Sequence, residues 1–252
     1  VNYTQLNRVF DGKLDEMRLY NRTLSADEVA QLYRLTTPTG VDTSLKGYWS
    51  FNGPDLSGTT VYDRSGAANN GTLTGGPTPT IGQVGQGLNF DGTDDYVAAG
   101  TISALNTNKI SLAYWWKRNA AGDRMSVGPY SNTDRFVIQP WSDGNVFVSV
   151  EAGAVRYASV AYAELGWHHF AMVFDGTKST NATKVLLYID GVQKTLGAWN
   201  NTVPASHTTS VFRMGMDFSG SNRFGNGPVD EVRVYTRVLS SAEVMNLYNQ
   251  GR

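Results

Sequence analysis

An all-β fold of the sandwich or barrel kind is predicted by three features of this 252-residue chain. Its apolar runs are of strand length and end in turn pairs such as Asp91-Gly92, Asp143-Gly144, Asp175-Gly176 and Asp190-Gly191. Glycine (27 residues) and aromatics (12%) are plentiful and charged residues make up only 17%, so turns are frequent and there is much apolar surface to bury. The length suits one large β domain of roughly 200–250 residues.

A repeat sets the domain organisation. Leu14 to Val29 recurs without a gap as Val229 to Val244, and the match continues through Leu32-Tyr33 and Leu247-Tyr248. The spacing far exceeds the roughly 20–50 residues of a solenoid unit, so what repeats is a whole domain. Residues 1–35 are therefore read as the terminal strand and helix of a preceding copy, 36–44 as a linker rich in small polar residues, Pro and Gly, and 45–252 as a complete copy. The chain is read as a piece of a tandem array.

The elements follow in order. Lys13 to Tyr20 is predicted as a strand, and Ser25 starts a helix as its N-cap, with Glu28 completing a capping box and Leu24 and Val29 forming a hydrophobic staple. The second copy carries the same device in Ser240, Glu243, Leu239 and Val244. Val244, Leu247 and Tyr248 share one helical face, as do Val29, Leu32 and Tyr33. Within the complete copy, strands are expected at Gly47–Phe51, Gly87–Phe90, Tyr96-Val97, Ile110–Trp116, Trp167–Phe174, Lys184–Ile189 and Val211–Met214. A hairpin is expected over Phe136–Val150 around Asp143-Gly144, and the closing strand lies near Val229–Tyr235.

Composition excludes several classes. A net charge of −1 gives no electrostatic drive toward nucleic acid or an anionic membrane surface. No apolar run approaches the roughly 20 residues of a membrane span, so no membrane insertion is expected. Without cysteine there are no disulfides, no thiolate nucleophile and no cysteine-ligated zinc. Gly82-Gln-Val-Gly85-Gln-Gly87 precedes a strand and not a helix, so it is no phosphate cradle; its glycines suit a tight approach to the next strand.

At this point a family resemblance emerges. Tyr48-Trp-Ser-Phe51, Asp63-Arg-Ser-Gly66 with Asn69-Asn-Gly71, Gly87-Leu-Asn-Phe-Asp-Gly92 with Asp95-Tyr96-Val97, Ile110-Ser-Leu-Ala-Tyr-Trp115, Trp167-His-His-Phe-Ala171, Leu187-Tyr-Ile-Asp-Gly191 and Val229-Asp-Glu-Val-Arg-Val-Tyr235 succeed one another. In that order they resemble laminin-G-like domains, the concanavalin A-like jelly rolls, in their bacterial form. The resemblance covers about Leu45 to Gly251. It implies a two-sheet antiparallel jelly-roll sandwich with a short C-terminal helix, and places Trp49 and Trp167 in the core.

Catalysis finds no support in the sequence. The Glu-x-Asp-x-x-Glu run that the resemblance would imply for a hydrolase is missing, as is a lyase-type set of Arg, Gln-x-His and Tyr. Asp15-Glu16 and Asp230-Glu231 are strand neighbours that point to opposite faces, so neither is a dyad. His168 and His169 are expected to divide, one packed inside and one solvated.

Calcium suits Asp/Asn/Gly loops, which supply carboxylates and carbonyls. One expected site draws on Asn52, Asp91, Asp94 and Asp230. The resemblance implies a second at the sandwich rim, with Asp134 as first ligand and Asp217 or Asn222 as second. Sugar binding needs flat aromatic faces ringed by polar groups. The candidates are Trp116, Tyr130, Tyr157 and Phe224, with Trp141 and Trp199, both in loop-like context, as the sharper choices.

The function expected is a non-catalytic carbohydrate or glycoprotein binding and adhesion module of a secreted or surface protein, with calcium as an assisting ion. Neighbouring repeats of the same chain are expected partners, since linked weak sites gain avidity. The competing readings are a structural spacer or stacking repeat of a long adhesin, and an unrecognised glycan hydrolase or lyase. A strand and helix cut from their sandwich expose an unpaired edge. Residues 10–33 are therefore expected to pack on the intact domain or to form a strand-swapped or edge-paired dimer.

Overall fold

The computed structural model describes residues 42–217 and 223–252 except 132 and 155, together with 19, 20, 22–24 and 29. The expected strand and helix within 1–35, the linker positions before 42, residues 10–33 as a pairing segment, and Asn222 lie wholly or largely outside the described residues. The chain divides into two units, Val1–Thr43 and Ser44–Arg252. The second unit is the β sandwich.

Among the described residues its strands are β1 (Leu45–Trp49), β2 (Leu56–Ser57), β3 (Thr60–Val61), β4 (Gly71–Thr74), β5 (Thr78–Ile81), β6 (Gln86–Asp91), β7 (Tyr96–Thr101), β8 (Lys109–Arg118), β9 (Val127–Pro129), β10 (Phe136–Pro140), β11 (Asn145–Val150), β12 (Tyr157–Ala161), β13 (Gly166–Asp175), β14 (Val185–Ile189), β15 (Val192–Lys194), β16 (Val211–Met214) and β17 (Asn226–Tyr235). Among the described residues two α-helices accompany them, α1 (Asn181–Lys184) and α2 (Ser241–Gln250), with 3-10 turns at Gly53–Asp55 and Ser103–Leu105. The eight-stranded sheet runs β15-β14-β13-β8-β17-β6-β5, with β1 also paired to β17; the nine-stranded sheet runs β12-β11-β10-β9-β16-β7-β4-β3-β2. The fold is an all-β sandwich of two antiparallel sheets with one short C-terminal helix.

Alternation along the strands builds the core. Leu112, Tyr114 and Trp116 of β8 and Phe170, Met172 and Phe174 of β13 face inward from one sheet, and Phe136, Ile138, Val146, Val148 and Phe212 meet them from the other. The intervening residues of the eight-stranded sheet, Ala113, Ala171 and Val173, face outward into a second apolar cluster with Tyr188, Tyr235, Leu239 and Val244. Helix α2 closes that cluster. The Ser240 hydroxyl accepts from the Glu243 N–H and the Glu243 carboxylate accepts from the Ser240 N–H, so the capping box forms as expected. Leu239 and Val244, the staple pair, are buried, each burial favourable by roughly 1.5–3 kcal/mol.

Several expectations change. His169 is buried against Trp115 and Tyr248, but His168 is not simply solvated: its Nδ1 lies 2.8 Å from an Asp190 oxygen and 2.9 Å from the Tyr162 hydroxyl. Trp49 is fully buried, whereas Trp167 is only half-buried. The glycines of 82–87 do permit close approach. A Cβ on Gly82 would overlap Asp230 Oδ2 and backbone of Gln86 and Gly87, and one on Gly85 would overlap the Asn52 side chain.

Candidate ligand-binding face

The nine-stranded sheet has a second face, opposite the core. Because Phe136, Ile138, Val148, Phe212 and Met214 point inward, Val137, Gln139, Ser149, Gly128 and Arg213 point outward. Strand register sets them side by side. Tyr157 pairs with Ser149 and Ser149 with Val137, while Gly128 pairs with Arg213 and Arg213 with Ala98. The next row brings Ser159, Phe147 and Gln139 together.

Outward residues of a sheet are ordinarily wet, yet Val137 is 0% exposed and belongs to neither apolar cluster. Ser149, Gln139 and Tyr130 are buried as well. Longer side chains close over this floor. The Arg135 guanidinium lies 4.5 Å from the centre of the Tyr130 ring, and its Nε lies 3.3 Å from Glu151 Oε2. Arg213 donates through Nη1 to the Tyr130 carbonyl at 3.0 Å, and Gln139 donates through Nε2 to the Ser126 hydroxyl at 3.3 Å. Gly128, at φ +134°, supplies the bare floor between Arg213 and Val137, since a Cβ there would overlap the Phe136 carbonyl oxygen.

The electrostatics follow from burial. Desolvation pushes the Glu151 carboxyl up, opposed by Arg135 and Arg156. It raises the Tyr130 phenol, and it lowers the Arg213 guanidinium. The face therefore holds hydrogen-bonding groups in a partly dehydrated setting, where contacts to a polar ligand are strongest.

At one end of this face stands Trp141, on the β10–β11 turn. Its N–H donates to the Asn145 carbonyl, and its carbonyl accepts from Gly144 N–H and from the buried Arg118 side chain at 3.3 Å. Two guanidinium groups, Arg124 and Arg223, each lie 5.4 Å from the Trp141 ring centre. Arg223 also pairs with Asp217, Nη1 to Oδ2 3.5 Å.

The structure distributes the other aromatic candidates differently. Tyr157, 40% exposed, sits on the outer face with its ring edge-on to Phe147. Tyr130 belongs to the same face but lies beneath Arg135. Trp116 must be corrected: it is 1% exposed in the main core, its indole N–H donating to the Asn226 carbonyl at 2.8 Å, so it presents no surface to a ligand. Trp199 packs half-buried against the core, because its loop runs beside β12 through Gly197 N–H to the Ser159 carbonyl and Tyr157 N–H to Asn200 Oδ1. Phe224 is half-buried and bridges to Met216.

The expected calcium ligands do not assemble as two sites. Asp91 and Asp94 converge with Asp95, all three carboxylates within 4.8 Å, and Asp95 is buried with its carboxyl pushed up, first by desolvation. Asn52 and Asp230 instead brace the turn before β6, accepting from Gln86 and Val84 N–H. The two groups flank opposite ends of β6, about 17 Å apart by strand rise, too far for one ion with ligands at about 2.3–2.6 Å. Asp134 accepts from the Thr133 hydroxyl beside one end of β16, and Asp217 follows the other end. Three oxygens at Asp91, Asp94 and Asp95 suit a hard cation.

A laminin-G family model, described as the concanavalin A-like lectin/glucanases superfamily, matches residues 91–245, more than half of the chain. The chain belongs to this superfamily. Solved structures give the same concanavalin A-like fold. Domain 4 of AbnA, an extracellular arabinanase from Geobacillus stearothermophilus solved with arabinotriose, is 20% identical at a TM-score of 0.55, covering 81% of this chain and 98% of that one. The binding domain of botulinum neurotoxin DC solved with SialylT is 12% identical at a TM-score of 0.60, covering 84% of this chain and 52% of that one. The same toxin domain solved with rat synaptotagmin II is 12% identical at 0.63, with the same coverage. The chain thus spans about half the length of these toxin domains. No curated protein sequence matches it. Among the described residues, no helix of this concanavalin A-like domain is long and apolar enough to cross a membrane.

Sequence reasoning named Tyr130, Tyr157 and Trp141 on this face but missed Gln139, Arg213, Arg135 and Glu151. Alternation with inward residues along β10 and β16, continued to Arg135 just before β10 and Glu151 just after β11, was the available signal. Which strands lie side by side was not.

Proposed function

We propose that this chain is a non-catalytic binding module for a glycan or glycoprotein, working outside the cell, with the outer face of the nine-stranded sheet and its Trp141 end as the ligand surface. The observation that carries the reading is the group of partly exposed side chains on this face, Tyr157, Phe147, Arg135 and Arg213 with Trp141 at its end, held over a buried floor of Val137, Ser149 and Gly128. Aromatic faces suit the C–H side of a pyranose, and amide, hydroxyl and guanidinium donors suit its hydroxyls. That similar domains have been solved with arabinotriose and SialylT supports the choice of ligand class. The carboxylates near this face, Glu151 and Asp217, are each tied to an arginine, which disfavours a pair working as acid and nucleophile. Calcium belongs to the proposal at Asp91, Asp94 and Asp95. The sequence repeat favours neighbouring repeats as partners, with avidity multiplying weak sites.

Thermal melts over a panel of soluble polysaccharides, with calcium and with chelator, test the reading. One glycan class should raise the melting temperature, since a ligand that binds only the folded state stabilises it. A shift with calcium alone would leave a structural spacer as the better account. Silence across the panel would remove the glycan reading.

A further inference from the structure

We propose that the sugar bound at the Trp141 end carries an anionic group, a carboxylate or a sulfate ester, held by Arg124 and Arg223 beside the indole ring. The inference rests on the glycan reading above and specifies its ligand. Both guanidinium groups stand over the indole ring at 5.4 Å from its centre, so an anionic group of a sugar that reaches this ring meets both at once. Arg124 is half-buried, and among the described residues no acceptor engages its side chain. A partly dehydrated guanidinium with unengaged N–H donors favours an anion over a neutral hydroxyl, because the planar fork matches carboxylate or sulfate oxygens bidentately. Arg223 is 47% exposed, and its Nη1 lies 3.5 Å from Asp217 Oδ2 without a hydrogen bond to that oxygen. A guanidinium carries five N–H donors, so the pairing with Asp217 leaves others for a ligand. Asp217 offsets one of the two charges, and the other is left for the ligand. Arg118 does not compete, since its donors are committed to the carbonyls of Ala120, Trp141 and Tyr162. It fixes the turn on which Trp141 stands.

Calorimetric titration of the whole chain with a uronic-acid oligosaccharide, a sulfated oligosaccharide and a neutral oligosaccharide of equal length tests this. At least one acidic sugar should bind roughly ten- to a hundredfold more tightly than the neutral one, the gain expected of a charge-assisted contact. Added salt should shrink that advantage. Which acidic arm binds identifies carboxylate or sulfate as the source. Arg124→Gln should erase most of the advantage, lowering acidic-sugar affinity by a clearly larger factor than neutral-sugar affinity. Arg223→Gln should give the same split through the second guanidinium, so a folding defect in one variant does not blunt the test. Equal affinity for neutral and acidic sugars would overturn the anionic inference and leave the glycan module standing. Absence of binding by all three would overturn both.

Discussion

Asp230 shows what a single buried carboxylate does to this fold. It is 0% exposed, its Oδ2 accepts from Val84 N–H at 2.8 Å, and its Oδ1 has no hydrogen-bond partner among the described residues. Desolvation is the main cause that pushes its carboxyl up to about 7; the nearby Glu231 charge adds to the rise, while backbone N–H donors including Val84 oppose it. The folded state therefore holds this proton more tightly than the unfolded chain, whose Asp titrates near 3.9. Its contribution to stability is fully present below about pH 4 and is lost as pH rises through about 7. Asp230→Asn, which cannot ionise, should escape that loss. Urea unfolding at several pH values should show the variant gaining on the wild type between about pH 4 and 8, by a few kcal/mol at most. Parallel profiles would mean that Asp230 stays ionised in the fold. His169 works in the opposite sense. Burial holds its imidazole down to about 3, so its contribution is present near neutrality and fades as pH falls below about 6.5. On the ligand face, Trp141→Ala should weaken binding of any sugar, neutral or acidic, by about tenfold or more, by loss of the stacking surface. A variant that binds the selected glycan as the wild type does would move the site elsewhere on the sheet.

Helix α2 is the element whose sequence logic is most local, and it was the most legible. Ser240→Ala should cost about 1 kcal/mol by denaturant unfolding, through loss of the hydroxyl that accepts from Glu243 N–H. An unchanged midpoint would show that the Leu239 and Val244 packing alone fixes the helix. Long strands were equally readable, because β8, β13 and β17 carry enough apolar residues to declare themselves. Strands β2 to β5, β9, β12 and β15 were not singled out, being two to five residues long and mostly rich in Thr, Gly or Pro. Two tryptophans explain why the ligand face was only partly visible. Alternation requires Trp115 and Trp116 to face opposite sides, but both are buried: Trp116 in the core, and Trp115 stacked on Tyr248 of α2. The helix was predictable; the surface it covers depends on strand order, which spans the whole chain. The same holds for the calcium ligands. Asp91 and Asp94 are neighbours in sequence and meet Asp95, whereas Asn52 and Asp230 could be placed only by knowing which end of β6 each one reaches.

At the scale of the molecule, the repeat carries the strongest consequence. The segment that matches Leu14–Val29 is β17 and the start of α2, and β17 lies between β8 and β6 while also pairing with β1. In the described sandwich that sequence pairs along both of its edges. Both sheets and both apolar clusters of the described sandwich lie within Ser44–Arg252. Residues 44–252 alone should therefore unfold cooperatively at the temperature of the whole chain, as followed by calorimetry. Replacing β17 with the earlier copy would break its pairing with β1, β6 and β8, the Tyr48–Glu231 bond and the Asp230–Val84 bond before anything is regained. The early segment, a copy of a sequence that pairs along both edges, is accordingly expected to pair with a second molecule and leave β17 in place. Sedimentation should then show the full chain associating with rising concentration while 44–252 stays monomeric. If instead 44–252 melts well below the full chain and both are monomers, the early segment packs on its own sandwich, and the unit that folds is larger than one repeat.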